Sequence, residues 1–256
     1  MQTVRKRGYD VAYGFGYDSD IDDYKVVAIS DNGGCSNVEV YSVRSNSRSN
    51  IQCTVKYSFH GGYQYGCPGV FFNGALHWLG SIANQETSSE VILCYDISIG
   101  IMVNMPLPDI LPMPPTYVSE KVCKNVGVLG DCIFVAFIWR SVRMDVWVMR
   151  EYGVNESWFR KYTTTQLPLS LYPSAFWKPL WCFDGEVLVD DGTEHFLLFD
   201  PTTETFRSVV VSDIAMDSLR NRVTYVESIA SLGSGTYLKR QIKDGTGKNP
   251  KRQRLR

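Results

Sequence analysis

The feature that most constrains this chain is a repeat. Four short apolar segments share one pattern: Val38-Glu-Val-Tyr41-Ser-Val, Ile92-Leu-Cys-Tyr95-Asp-Ile, Asp145-Val-Trp-Val148-Met and Phe196-Leu-Leu-Phe199-Asp-Pro. Tyr41, Tyr95, Val148 and Phe199 are separated by 54, 53 and 51 residues. A second apolar segment precedes each one: Tyr24-Lys-Val-Val-Ala-Ile29, Asn73-Gly-Ala-Leu-His-Trp78-Leu, Gly130-Asp-Cys-Ile-Phe-Val135 and Asp184-Gly-Glu-Val-Leu-Val189. Three of these open on Asn-Gly, Gly-Asp or Asp-Gly, which suit tight turns because Gly accepts positive φ without a Cβ clash. A third element follows in two units, Glu156-Ser-Trp158-Phe-Arg and Thr202-Thr-Glu-Thr-Phe206-Arg. No 3.6-residue apolar stripe persists, so long helices are not expected. Residues 213–222 are the one place where a short helix fits.

Each unit therefore reads as turn, strand, loop, strand, turn, strand. A small twisted sheet of this kind cannot bury both faces alone, and stacking such sheets buries them. A period of about 50 residues is that of kelch propeller blades. The expected fold is all-β: a kelch-like β-propeller, incomplete, with about four visible blades plus a C-terminal strand at Tyr225-Val-Glu-Ser-Ile-Ala-Ser-Leu232. An aromatic content of 13%, with 21 glycines and 11 prolines, agrees with short strands and many turns. Five prolines in the 11 residues Met105–Pro115 mark an inter-blade loop, because proline removes ladder donors. Ser42–Gln52, rich in Ser, Asn and Arg, reads as an exposed hairpin loop. The propeller-like domain is expected over residues 1–232. Residues 233–256 are expected to be a disordered basic tail.

Net charge is -1, which gives no general attraction to nucleic acid or anionic membranes. No stretch approaches the roughly 18 apolar residues of a membrane helix. Met1-Gln-Thr-Val-Arg-Lys-Arg is followed by no apolar run, so a secretory signal is not expected. Seven scattered cysteines, none in a Cys-x-x-Cys pair, suggest a reduced, cytoplasmic protein. The tail cluster Lys251, Arg252 and Arg254 is either a nuclear-import signal, adding the nucleus to that location, or a solubilising end.

The same segments resemble the plant F-box-associated domain, the family of F-box/kelch-repeat and S-locus F-box proteins. Tyr13-Gly-Phe-Gly-Tyr-Asp-Ser-Asp-Ile-Asp-Asp-Tyr-Lys-Val-Val27 is close to its opening motif. Phe72-Asn-Gly-Ala-Leu-His-Trp78-Leu and Met144-Asp-Val-Trp-Val-Met-Arg-Glu-Tyr-Gly-Val-Asn-Glu-Ser-Trp158 match the next two, and Tyr225–Leu232 resembles its ending. The resemblance spans residues 9–232 in the family's order. It implies a non-enzymatic, substrate-binding subunit of a Skp–cullin–F-box ubiquitin ligase, whose partners are target proteins marked for degradation. The family's F-box and first-blade motif are not seen ahead of Tyr13. A Skp-type adaptor is therefore expected to bind only where an upstream F-box is supplied.

The residues themselves offer little catalytic chemistry, and no cofactor is expected. Asp18-Ser-Asp-Ile-Asp22-Asp23 resembles the start of a calcium loop. Counted from Asp18, however, Asp23 stands where the turn glycine is needed and Ile29 where a bidentate Glu is needed. A solvated turn before a strand explains the run. Gly14-Phe-Gly16 lacks the third glycine and following helix of a dinucleotide site. His60, His77 and His195 are far apart in sequence, and His77 reads as a satisfied core histidine. Asp190-Asp191 suits a hairpin turn; a carbohydrate-acting or carbohydrate-binding propeller is the rival that would need such acids. Most tryptophans lie on strand patterns and read as packing. Trp139-Arg-Ser-Val-Arg143 and Tyr172-Pro-Ser-Ala-Phe-Trp177 instead mix aromatics with cations in expected loops, a composition typical of interface anchors. Tyr63 and Tyr65, in a Gly-rich loop, are similar. Trp139, Arg143, Tyr172, Trp177, Tyr63 and Tyr65 are thus candidate partner contacts, with ordinary packing as the alternative.

Overall fold

A computed structural model describes residues 11–31, 33–60, 67–83, 88–109, 122–139, 142–167, 178–190 and 196–209. Two compact units emerge, Met1–Met105 with Val226–Arg256, and Pro106–Tyr225. The described residues form strands and turns, with one 3-10 turn at Asn155–Ser157 and no α-helix. They build four sheets of four or five strands. The expected helix at 213–222 and C-terminal strand at 225–232 lie outside the described residues, as does the tail.

Unit 1 holds two sheets. In the first the order is β4-β3-β2-β1-β6, built from β1 (Val11–Asp18), β2 (Asp23–Asp31), β3 (Ser36–Ser42), β4 (Ser47–Gln52) and β6 (Cys67–Pro68). In the second, β10 (Met102–Pro106), β9 (Ser88–Asp96), β8 (Ala75–Ala83) and β5 (Tyr57–Phe59) follow in order, and β7 (Val70–Phe72) also pairs β8. Ser47–Gln52 corrects the expected exposed loop: the turn is confined to residues 43–46, and the rest is a fully exposed edge strand paired with β3. A polar, charged edge of this kind discourages pairing with other proteins.

The two sheets pack face to face. Ala12, Val27, Ile29, Val38 and Val40 of the first sheet meet Leu76, Trp78, Tyr95 and Ile97 of the second in one buried cluster. The glycines of the Tyr13–Val27 motif make the approach possible. Ala12, Gly14, Gly16 and Asp18 alternate onto the buried face of β1. A Cβ on Gly14 would stand 2.7 Å from both Leu76 methyls, and one on Gly16 would stand 2.3 Å from Ile97 Cδ1. The Gly-x-Gly pair is therefore a packing device between sheets.

Unit 2 repeats the plan. Its first sheet is β11 (Val122–Leu129), β12 (Cys132–Trp139), β13 (Arg143–Met149) and β14 (Trp158–Thr164); its second is β15 (Lys178–Phe183), β16 (Glu186–Asp190), β17 (Phe196–Asp200) and β18 (Thr205–Val209). Phe134, Ala136, Ile138, Met144, Val146 and Val148 pack on Val187, Val189, Leu197 and Phe199. Every residue from Ile133 to Trp139 is buried, so β12 is covered on both faces, as its unbroken apolar run requires. The Asn-Gly and Asp-Gly pairs behave as their residue types dictate: Asn73, Gly74, Asp184 and Gly185 have φ of 48, 78, 48 and 85°, the positive pair needed by a two-residue hairpin.

Each apolar pair of the repeat is the central strand pair of one sheet, β2/β3, β8/β9, β12/β13 and β16/β17. The first strand of each sheet escaped the repeat pattern. β1 is diluted by glycines. The strand beside β8 is broken into β5, whose pairing ends at Phe59 opposite Gly80, and β7, whose pairing begins at Val70 opposite His77.

Candidate partner-binding site at the hairpin end of unit 2

Trp139 and Arg143 close the β12–β13 hairpin as its last cross-strand pair. This corrects their expected place in a free loop: both are strand residues, and Trp139 is only 2% exposed. Alternation along β13 puts Arg143, Asp145, Trp147 and Met149 on the sheet face opposite the Met144–Val146–Val148 core. There the Arg143 guanidinium carbon lies 4.6 Å from the Trp139 ring centroid. Trp139 in turn stacks on Phe137, with centroids 6.1 Å apart. Arg143 Nη2 is 3.1 Å from Asp145 Oδ2. Thr163 Oγ1, directly across on β14, donates to Asp145 Oδ1 at 2.6 Å. Asp145 is thus buried yet satisfied on both oxygens. Stacking and ion pairing fix a normally mobile guanidinium, the preorganisation that lowers the entropy lost on binding.

β14 ends beside Met144, at the hairpin end of its sheet. β15 begins beside Asp190, where β16 leaves for β17. The β14–β15 connection starts beyond Thr164, opposite Met144, and ends at Lys178, opposite Asp190. Tyr172 and Trp177 belong to this connection, outside the described residues. Tyr63 and Tyr65 fall in the excursion between β5 and β6, also outside them, and so do Lys251, Arg252 and Arg254. Sequence reasoning missed Asp145 and Thr163. Their only signal is the cross-strand register, which no linear pattern reveals.

The remaining polar candidates are structural. Asp18 and Asp23 are 1% and 4% exposed, so the expected solvated turn is corrected at its two ends. Asp18 accepts from Lys25 Nζ at 2.7 Å, Ser98 Oγ at 2.8 Å and the Asp20 amide at 3.0 Å. Burial opposes its charge, but these donors prevail and hold its carboxyl below the usual range. Asp23 accepts from the Arg44 and Ser45 amides, tying the β1–β2 turn to the β3–β4 turn. Among the described residues no three His, Cys, Asp or Glu side chains gather as a metal site would require. His77 is fully buried with Nδ1 3.1 Å from the Val70 carbonyl, and burial drives its pKa down to about 4. Asp190 ends β16 and is buried; Asp191 and His195 lie outside the described residues. Ser81 Oγ lies 3.4 Å from His60 Nε2, and His60 Nδ1 lies 3.2 Å from Glu90. Ser81 is 4% exposed in the middle of β8, so this relay pins the backbone ahead of residues 61–66 to the β8–β9 ladder. Of the tryptophans expected to pack, Trp78 and Trp158 are buried, whereas Trp181 on β15 is 45% exposed.

Comparison with known proteins agrees with this architecture. The F-box protein CPR1 of Arabidopsis thaliana is 30% identical over 226 residues, covering 81% of this chain and 53% of that protein. An F-box/kelch-repeat protein of the same plant is 30% identical over 229 residues, covering 86% of this chain and 56% of its own. The chain thus spans about half the length of the curated relatives it matches. A solved prolyl endopeptidase structure overlaps 80% of this chain at 12% identity and a TM-score of 0.38, too slight a likeness to bear on fold or function. The family described as the F-box associated beta propeller domain matches residues 1–231. With four kelch-like sheets of the expected kind, this chain belongs to the F-box associated β-propeller family.

Proposed function

We infer that this chain is the substrate-recognition portion of an F-box protein, selecting a target protein for a Skp–cullin–F-box ubiquitin ligase. The observation that carries this reading is the family match over residues 1–231, together with relatives that are F-box proteins. The chemistry of ubiquitin transfer belongs to other subunits; this chain supplies rigid sheets whose connections meet the target. Protein-level recognition agrees with a site built from Trp139 and Arg143 rather than from paired free carboxylates. We place the domain at residues 1–232, with 233–256 as a tail that carries the protein into the nucleus through Lys251, Arg252 and Arg254. Replacing those three cations by Ser in a fluorescent fusion should leave it cytoplasmic; unchanged nuclear signal refutes the import role.

The decisive test is co-purification with a plant Skp-type adaptor, using this chain and a version extended by its upstream genomic sequence. Binding by the extended version alone supports the ligase reading. If neither version binds, the ligase role fails, and the protein is a stand-alone interaction domain.

A further inference from the structure

The first sheet of unit 1 carries, on its outer face, an apolar surface that the core does not use. Ala12, Val27, Ile29, Val38 and Val40 point to the buried side, so the residues between them point out. Residues directly opposite one another in neighbouring strands share a face. The register therefore sets Phe15, Val26, Tyr41 and Arg48 in one outward row across β1, β2, β3 and β4. The row on one side of it is Tyr13, Ala28, Glu39 and Asn50, and on the other side Tyr17 stands opposite Tyr24. Phe15 and Val26 are 52% and 40% exposed. Phe15 lies parallel to Tyr24 with ring centroids 5.2 Å apart, and Tyr17 leans on the same ring at 5.1 Å. These contacts hold the rings in place before anything binds. A contiguous exposed apolar surface of this kind marks an interaction site.

The charges on the face identify the partner. Glu39 and Arg48 are both exposed, of opposite sign, and one strand and one row apart. Neither forms an ion pair among the described residues: Glu39 accepts from Asn37 Nδ2 at 3.4 Å, and the Arg48 guanidinium carbon lies 5.7 Å from the Tyr41 ring centroid. An acid and a base without ion-pair partners, beside an apolar centre, make the face complementary to itself. Strands lie about 4.8 Å apart and these rows about 6.8 Å apart. A two-fold axis in the plane of the face that exchanges Glu39 with Arg48 then runs over Val26 and between Phe15 and Tyr17. Each Arg48 meets Glu39 of the second copy, and the apolar residues meet one another along the axis.

We propose that the outer face of β1–β4 binds a second copy of this chain in a symmetric dimer. The proposal goes beyond the ligase reading and does not depend on it.

The test is sedimentation velocity of the full 256-residue protein across a concentration series. The parent should pass from monomer to dimer as concentration rises. By symmetry Glu39→Arg alone, or Arg48→Glu alone, places two like-charge contacts in the interface, and each should weaken association about tenfold. In an equimolar mixture each variant supplies the charge that the other lacks, so the dimer should return. A protein carrying both substitutions should self-associate like the parent. Near-UV circular dichroism of each variant checks that the fold is kept. A parent that stays monomeric, a dimer that neither single substitution weakens, or a mixture no tighter than the single variants overturns the proposal. The same series on the version extended by upstream sequence separates the rival occupant: if that version is monomeric where this chain dimerises, the face belongs to another segment of the same polypeptide and the proposal falls. Adaptor co-purification is read separately, so either result leaves the other standing.

Discussion

Substituting Gly69 by Ala should destabilise unit 1 by about 2–4 kcal/mol. Gly69 lies between β6 and β7, and its amide donates to the Tyr13 carbonyl at 2.6 Å. Trp78 Nε1 donates to the same carbonyl at 3.3 Å, and the ring is fully buried with its edge toward Phe59, centroids 5.8 Å apart. A Cβ on Gly69 would stand 2.4 Å from Trp78 Cε2 and 2.6 Å from Nε1. To restore van der Waals contact the indole must retreat by about 1 Å. That retreat loses the hydrogen bond to Tyr13, worth about 1 kcal/mol. It also presses the ring into a packed core, where overpacking costs about 1–3 kcal/mol. Trp78→Phe removes the N–H and the ring atoms that collide, so the double variant should cost at least about 1 kcal/mol less than the sum of the singles. The assay is hydrogen exchange at β1 and β8 amides as a function of urea, which reports unit 1 regardless of how unit 2 melts. A Gly69→Ala protein within about 0.5 kcal/mol of the parent, or strict additivity, would refute the reasoning.

Two further outcomes follow from buried ionisable groups. His77, with its pKa down at about 4, binds its proton in the unfolded state long before the folded one. Its contribution is therefore intact above the ordinary histidine pKa of about 6.5 and is lost as pH falls from there toward 4. Between about pH 7 and 5 that amounts to about 2 kcal/mol, measurable as a falling urea midpoint that flattens in His77→Gln; an equal fall in the variant would count against it. Asp18→Asn should cost about 1–3 kcal/mol near neutrality by leaving Lys25 with only its bond to the Ile97 carbonyl. Because Asp18 is held below the usual carboxylate range, its stabilisation exists above that range and disappears as pH falls through the folded value. The variant and parent should thus converge in acid, and a constant gap across the pH range would contradict this.

The sequence by itself determined the class of fold and the family. Spacings near 50 residues and the Asn73-Gly74 and Asp184-Gly185 turns each follow from local chemistry, and the structure places them as read. Tertiary structure decided whatever depended on who lies opposite whom. Gly14 and Gly16 became a packing seam only because Leu76 and Ile97 arrive from another sheet. Asp18, read as solvated, is buried because Ser98, 80 residues away, meets it. Trp139, read as a loop anchor, is a buried strand residue paired across β12–β13 with Arg143, and Asp145 is satisfied in part because Thr163 faces it from β14. The physical reason is common to all of these: propensity and turn chemistry act between neighbours in sequence, whereas burial, ion pairing and hydrogen-bond satisfaction act between residues that only a completed sheet brings together.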